Sequence, residues 1–144
     1  MREMTPGEWS AFLRAGTRTA KLSVNLFSGR PTVTPVWFLY DHDGILRIET
    51  GADAPKTRAL RADSRACLVV DLEAPPYAFV RIDATAHIVD DPAEVRRVAT
   101  AVGARYMGAD RAEEFGRRNS GPGQVVIEFT PTRIVALDDV TGSP

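Results

Sequence analysis

Three cations, Lys56, Arg58 and Arg61, stand close together at or just inside the start of a short helix. The sequence places that helix between a strand ending near Thr50 and another beginning near Ala66. A helix start presents unpaired N–H groups and a partial positive charge, and both favour phosphate. Lysine and arginine add charge-assisted hydrogen bonds of roughly 1.5–3 kcal/mol each. The spacing fits a phosphate-bearing ligand held between β-strands. It fits a solvated basic turn equally well.

Other chemistry is sparse. His42 falls in the turn Asp41–Gly44 and reads as a turn residue. His87 falls on a strand and fits a structural or interface position. Neither has metal-ligand spacing around it. Asp41, Asp43, Asp90 and Asp91 flank turns and caps, where local hydrogen bonding accounts for them. There is no G-x-S-x-G elbow, no Cys-His arrangement and no glycine-rich nucleotide loop. Any catalysis would therefore fall to a bound cofactor, with the protein supplying orientation and a dry pocket. The lone Cys67 lies in the apolar run Ala66–Val70 and is expected to be a small buried packing residue.

The elements that must position these groups are mostly strands. Thr5, Pro6 and Glu8 spell a capping box and a proline start for a first helix ending at Gly16, with Trp9, Phe12 and Leu13 on its apolar face. Leu22, Val24 and Leu26 alternate with polar residues as a half-buried strand. Ser28–Pro31 reads as a hairpin turn, and Thr32–Tyr40 as a second strand in which Pro35 argues for an edge, a bulge or a site of interrupted pairing. Ile45–Thr50 is a third strand, Pro55–Ala62 the short helix, and Ala66–Leu72 a fourth strand. Tyr77–Val89 reads as the longest strand, with Ala78, Val80, Ile82, Ala84, Ala86 and Ile88 on the inner face. Asp91 and Pro92 open a helix carrying Val95, Val98, Ala99, Val102 and Tyr106 on one stripe. Asp110 and Glu113 resemble a further helix start anchored by Phe115. Gln124–Thr130 and Arg133–Leu137 read as a terminal strand pair joined at Pro131 and Thr132, followed by a frayed tail. The whole is expected to be mainly β, a small barrel of six or seven strands with a few peripheral helices.

Composition narrows the class. A chain of 144 residues fits one domain, and 44% hydrophobic content lets it bury a core. A net charge of −1 offers no field to steer it toward nucleic acid or an anionic membrane surface. One cysteine rules out an intrachain disulfide and suits a reducing compartment. No long apolar run suggests a signal peptide or a membrane span, so a cytoplasmic protein is expected.

The segment Pro55–Val70, the upstream Gly29–Trp37 and the strand Pro76–Val80 resemble the pyridoxamine 5′-phosphate oxidase-like superfamily of split β-barrels. Within it they are most similar to the deazaflavin (coenzyme F-420)-dependent reductases. The resemblance spans about residues 10–138 and implies one split-barrel domain over residues 1–144. It implies a homodimer with two equivalent sites at the subunit interface. A flavin or deazaflavin phosphate would meet Lys56 and Arg58, helped by Thr50 and Thr57. The tricyclic ring would lie along Thr34, Pro35, Val36 and Trp37, contacted largely by backbone. Tyr77 and Phe79 would come from the partner subunit as a wall over the ring. Family members often carry Asn where this chain has Ala59, which removes one polar contact. The chain also ends soon after its last strand, so vitamin B6 oxidation is not expected.

The implied reaction is hydride transfer from reduced coenzyme F-420 to a small unsaturated or otherwise electrophilic organic acceptor. The alternatives are an FMN-dependent oxidoreductase of the same fold and a non-catalytic carrier of flavin, deazaflavin or haem. The acceptor pocket would be built from loops around Glu73–Pro76 and Met107–Gly123.

Overall fold

A computed structural model describes residues 1–142. In chain order the elements are β1 (Arg2–Glu3), α1 (Pro6–Arg14), β2 (Ala20–Asn25), β3 (Pro31–Val36), β4 (Leu39–Tyr40), β5 (Leu46–Gly51), α2 (Pro55–Ala62) and β6 (Arg65–Leu72). They continue with β7 (Ala78–Val89), α3 (Pro92–Met107), a 3-10 turn (Ala109–Arg111), α4 (Ala112–Arg118) and β8 (Gln124–Asp138). The strands form one curled antiparallel sheet in the order β3-β2-β6-β7-β8-β5-β4, with β1 paired to the end of β8.

β3 and β4 lie at opposite ends of that order, yet only Trp37 and Phe38 separate them in the chain. Three Cα steps span at most about 11 Å. The sheet must therefore curl until its two edges nearly meet, which makes it a split barrel. The expected single strand Thr32–Tyr40 is in fact two strands on opposite edges. Phe38, with no exposed surface, plugs the seam from inside. Pro35 sits on the edge strand β3, where a missing N–H is tolerated.

The period-two pattern of β7 turns Val80, Ile82 and Ala84 inward, where they join Leu22, Leu46, Ile48, Leu68, Val70, Ile127 and Phe129 in the barrel core. Four further readings are corrected. The terminal pair is one strand, β8, longer than β7. Its register shifts opposite Asp83 and Ala84, where Pro131 pairs with Ala84 and Arg133 with Asp83. A bulge at Thr132, whose hydroxyl donates to the Asp83 carbonyl at 3.0 Å, absorbs the proline without ending the strand. Cys67 alternates away from the core, half-buried between Ser23 and Asp83 on the neighbouring strands. Tyr77 adopts a left-handed φ of 55°, so the strand begins at Ala78. The tail is not loose at its start, since the Val140 N–H donates to the Tyr77 carbonyl at 3.0 Å. The rest of the expected frayed tail, residues 143 and 144, lies outside the described residues.

The helices behave as their sequences indicate. Thr5 and Glu8 close a reciprocal capping box on α1. Val95, Val98 and Val102 of α3 pack on Val126 in a small second core outside the barrel wall. α3 and α4 approach each other through Gly103, where a methyl group would stand 2.6 Å from the Phe115 Cβ. That neighbour is fixed to a helix and cannot swing away. Gly103→Ala should therefore cost about 1–3 kcal/mol despite alanine's better helix propensity. A thermal melt at or above wild type would refute this packing.

Candidate functional site

A groove of about 280 Å³ opens beside the barrel seam. One wall is the edge strand and crossover, Pro35, Val36 and Trp37. The other is α3, through Ala99 and Val102. Glu49 and Thr50 of β5, Lys56 of α2 and Asn119 complete it. The seam and the α3 docking place residues from five parts of the chain around one hollow.

Trp37 is held as a rigid plate. It stacks on Tyr106 with centroids 5.0 Å apart and planes 2° from parallel, and Phe115 flanks it at 6.3 Å. Tyr106 is itself fixed, because its hydroxyl donates to the Arg18 carbonyl at 2.9 Å and accepts from the Phe38 N–H at 3.3 Å. Burial pushes the Tyr106 phenol up, so it stays neutral at ordinary pH.

Lys56 and Glu49 bring opposite charges to the groove. Glu49 is half-buried, and desolvation pushes its carboxyl up to about 7, against the attraction of the Lys56 ammonium. With its amide turned to place the nitrogen toward these acceptors, Gln124 donates to the Thr50 carbonyl at 3.1 Å and to a Glu49 carboxyl oxygen. Thr50 thus stands in the groove beside a polar cluster.

The residues expected at the site are distributed unevenly. Pro35, Val36, Trp37, Thr50 and Lys56 are gathered into the groove. Thr34 lies on β3 opposite Leu22, exposed and next to the groove wall. Thr57 has no exposed surface, and its hydroxyl donates to the Gly51 carbonyl at 2.7 Å, pinning α2 to the end of β5. Arg58 turns to a different hollow with Leu26, Phe27, Ser28, Pro55 and Ala59. The divergence follows from helix geometry, since residues two apart point about 200° from each other. Arg61 is exposed, and Arg65 is tied to Asp63 at 2.8 Å. Tyr77 and Phe79 lie at the far end of the barrel, where Phe79 pairs with Leu137, whereas Thr50 pairs with Val125 at the other end of β8. Within one chain they do not reach the groove.

Sequence reading missed Glu49, Ala99, Val102 and the Tyr106 support, whereas Asn119 falls in the Met107–Gly123 segment expected to build the acceptor pocket. Arg47 and Glu49 occupy the face of β5 opposite Leu46 and Ile48, and alternation along one strand does not record what covers it. α3 covers that face. Among the described residues, no group of three or more His, Cys, Asp or Glu could hold a metal ion. No helix among them is long and apolar enough to cross a membrane.

The curled antiparallel split barrel is the fold of a known family. Residues 6–138 match the pyridoxamine 5′-phosphate oxidase family, and the chain belongs to it. A conserved hypothetical protein from Mycobacterium tuberculosis is 25% identical, covering 98% of this chain and 89% of its own, with a TM-score of 0.86. An F420 reductase is 23% identical, covering 86% of this chain and 94% of its own, with a TM-score of 0.66. An FAD-binding protein from Mesorhizobium loti shares the fold at 16% identity, covering 94% of this chain and 93% of its own, with a TM-score of 0.69. Among curated proteins, no sequence matches significantly.

Proposed function

We propose that the protein is a flavin-type oxidoreductase that uses coenzyme F-420, with FMN as the alternative cofactor, to reduce a small electrophilic organic acceptor. The observation that carries this reading is the groove itself. It joins a flat apolar wall, suited to a planar ring, to a single cation suited to a phosphate. Kinship to a family whose solved folds include an F420 reductase and an FAD-binding protein points the same way.

The residues present fit such a group. Lys56 would hold its phosphate, and Pro35, Val36 and Trp37 would lie along its ring. β3 is the end strand of the sheet, so its outer backbone edge has no strand partner among the described residues and can meet polar ring atoms. When bound and reduced, the cofactor supplies the hydride. The chain's part is to fix the ring against Trp37, to exclude water with Ala99 and Val102, and to hold the phosphate end. Ligand sites usually enclose roughly 300–1,000 Å³, and this groove falls just below that range. One chain would therefore cover only part of the cofactor. The proposal accordingly includes a homodimer in which a second copy brings Tyr77 and Phe79 over the ring.

The test is equilibrium binding of oxidised coenzyme F-420 and of FMN to the purified protein, followed by cofactor fluorescence. Lys56→Ala should weaken binding by about 1.5–3 kcal/mol, roughly 10- to 150-fold, and leave the thermal midpoint of the free protein unchanged. Arg58→Ala should change affinity less than Lys56→Ala, because Arg58 opens on another hollow. Failure to bind either cofactor, or unaltered affinity in Lys56→Ala, would sink the assignment. Micromolar binding by a strict monomer in light scattering would remove the shared-site part alone.

A further inference from the structure

The two charges in the groove work against each other toward an anion. Lys56 attracts a phosphate and an ionised Glu49 repels it. On the same face of β5 stands Arg47, whose charge is engaged by Asp41, Asp43, Glu94 and Glu128, and few other groups bear on Glu49. β3 and the crossover contribute Pro35, Val36 and Trp37, α3 contributes Ala99 and Val102, and the loop after α4 contributes Asn119. β8 contributes its pairing partner Val126 and the amide of Gln124. Either protonation state of a carboxyl can accept from that amide. Lys56 is thus the single cation lining the groove, and among the described residues no carboxylate lies within ion-pair distance of its ammonium.

We propose that Glu49 and Lys56 form one proton-coupled anion site, in which a doubly charged tetrahedral oxyanion docks on Lys56 only while Glu49 carries a proton. The inference rests on reading the groove as the seat of a phosphate-bearing cofactor, and it states what controls that seat for a phosphate monoester such as that of FMN, a dianion above about pH 6. With Glu49 ionised, the two side chains sum to no net charge, and a dianion would enter beside a carboxylate between apolar walls. The repulsion acts at short range because Glu49 and Lys56 line the same groove. With Glu49 protonated, the lysine is uncompensated and the carboxyl O–H becomes a second donor to the anion. Burial already lifts the Glu49 carboxyl to about 7, so the proton is available near neutrality. The sign follows from linkage. Binding takes up one proton, so affinity is full below the Glu49 midpoint and falls about tenfold per pH unit above it.

Inorganic sulfate is the probe, because it remains a dianion throughout this pH range and its own titration does not interfere. Between about pH 6 and pH 8.5 its affinity for the wild-type protein should fall about 30-fold. Glu49→Gln keeps the shape and removes the titration. It should bind sulfate at the higher pH as tightly as wild type does at the lower, with little pH dependence between. Should that variant fail to fold, carbon-13 NMR of the wild-type Glu49 carboxyl decides. Its midpoint should move upward at saturating sulfate. A pH-independent sulfate affinity, an unmoved Glu49 midpoint, or no saturable binding at either pH would each overturn the proposal. Cofactor titrations separate it from the functional reading. Sulfate binding with this pH dependence but no binding of coenzyme F-420 or FMN would keep the anion site and remove the cofactor. Cofactor binding beside pH-independent sulfate binding would do the reverse.

Discussion

Arg47→Met is expected to destabilise the protein by about 3 kcal/mol, at the lower end of what breaking a buried ion pair costs. The Arg47 side chain is 11% exposed and stands among Asp41 at 2.6 Å, Asp43 at 2.8 Å, Glu128 at 2.8 Å and Glu94 at 3.6 Å. Arg97 is the second cation of the cluster, bonded to Asp41 and Glu94. Without Arg47, four carboxylates face one guanidinium. The lower end of the range applies because Asp43 is half exposed and keeps water as a partner. The pH dependence should also reverse. In the wild type, the hydrogen bond from Arg47 holds the Asp43 carboxyl below its ordinary value, and the bond from Arg97 does the same for Glu94. Carboxyls depressed in the folded state stabilise it above the ordinary carboxylate range, and that stability is lost as pH falls through the depressed values. In the variant the unpaired carboxylates repel one another, so mild acid should recover stability. Denaturant unfolding at neutral pH and near pH 4.5 checks both statements. A loss under about 1 kcal/mol at neutral pH would show that water, not Arg47, satisfies the cluster.

Arg105→Met should cost about 3 kcal/mol and also loosen the groove wall. Arg105 reaches from α3 to four backbone carbonyls: Gly16 at 3.0 Å, Phe38 at 2.9 Å, Leu13 at 2.9 Å and Ala15 at 3.4 Å. It thereby caps the C-terminal end of α1, where carbonyls lack intrahelical partners and the helix dipole favours a cation. Its guanidinium also lies 4.5 Å from the Phe38 ring centroid. Burial pulls its pKa down, yet an arginine remains charged at any physiological pH. Methionine keeps most of the stem but leaves these carbonyls without a donor. The crossover Trp37–Phe38 then loses one of its ties to α3, keeping those through Tyr106, and the Trp37–Tyr106 stack loses a neighbour. The thermal midpoint should drop by roughly 10 °C. In a Trp9→Phe background, Trp37 emission should shift to the red. A drop under about 2 °C with unchanged emission would mean that the stack holds the crossover without Arg105.

Both variants concern contacts that join distant parts of the chain, and that marks where sequence reading stopped. Local signals were legible. The alternation in β7 named the inner face, the Thr5–Glu8 box started α1, and Asp91 capped α3. The bounds of α2 followed from Pro55 and the strands on either side. Each rests on interactions within a few residues, which spacing records directly. β8 misled because a proline within a strand reads as a break unless its partner strand is known, and the bulge is a property of the β7–β8 pair.

The candidate site divides along the same line. Residue types and the family resemblance, both read from the sequence, determined the split-barrel class and the cluster of phosphate-suited cations that includes Lys56, and the sheet order made Pro35 an edge-strand residue. The tertiary structure alone decided which residues share a hollow. A helix turn sent Lys56 and Arg58 to different grooves, and a two-residue crossover set Trp37 at the barrel seam. The docking of α3 over the polar face of β5 covered Arg47 and part of Glu49, a contact that alternation along one strand does not record. Periodicity reports which side of a strand a residue occupies, and the partner covering that side comes from elsewhere in the chain. The burial that lifts the Glu49 carboxyl beside Lys56 therefore arises only when the fold closes.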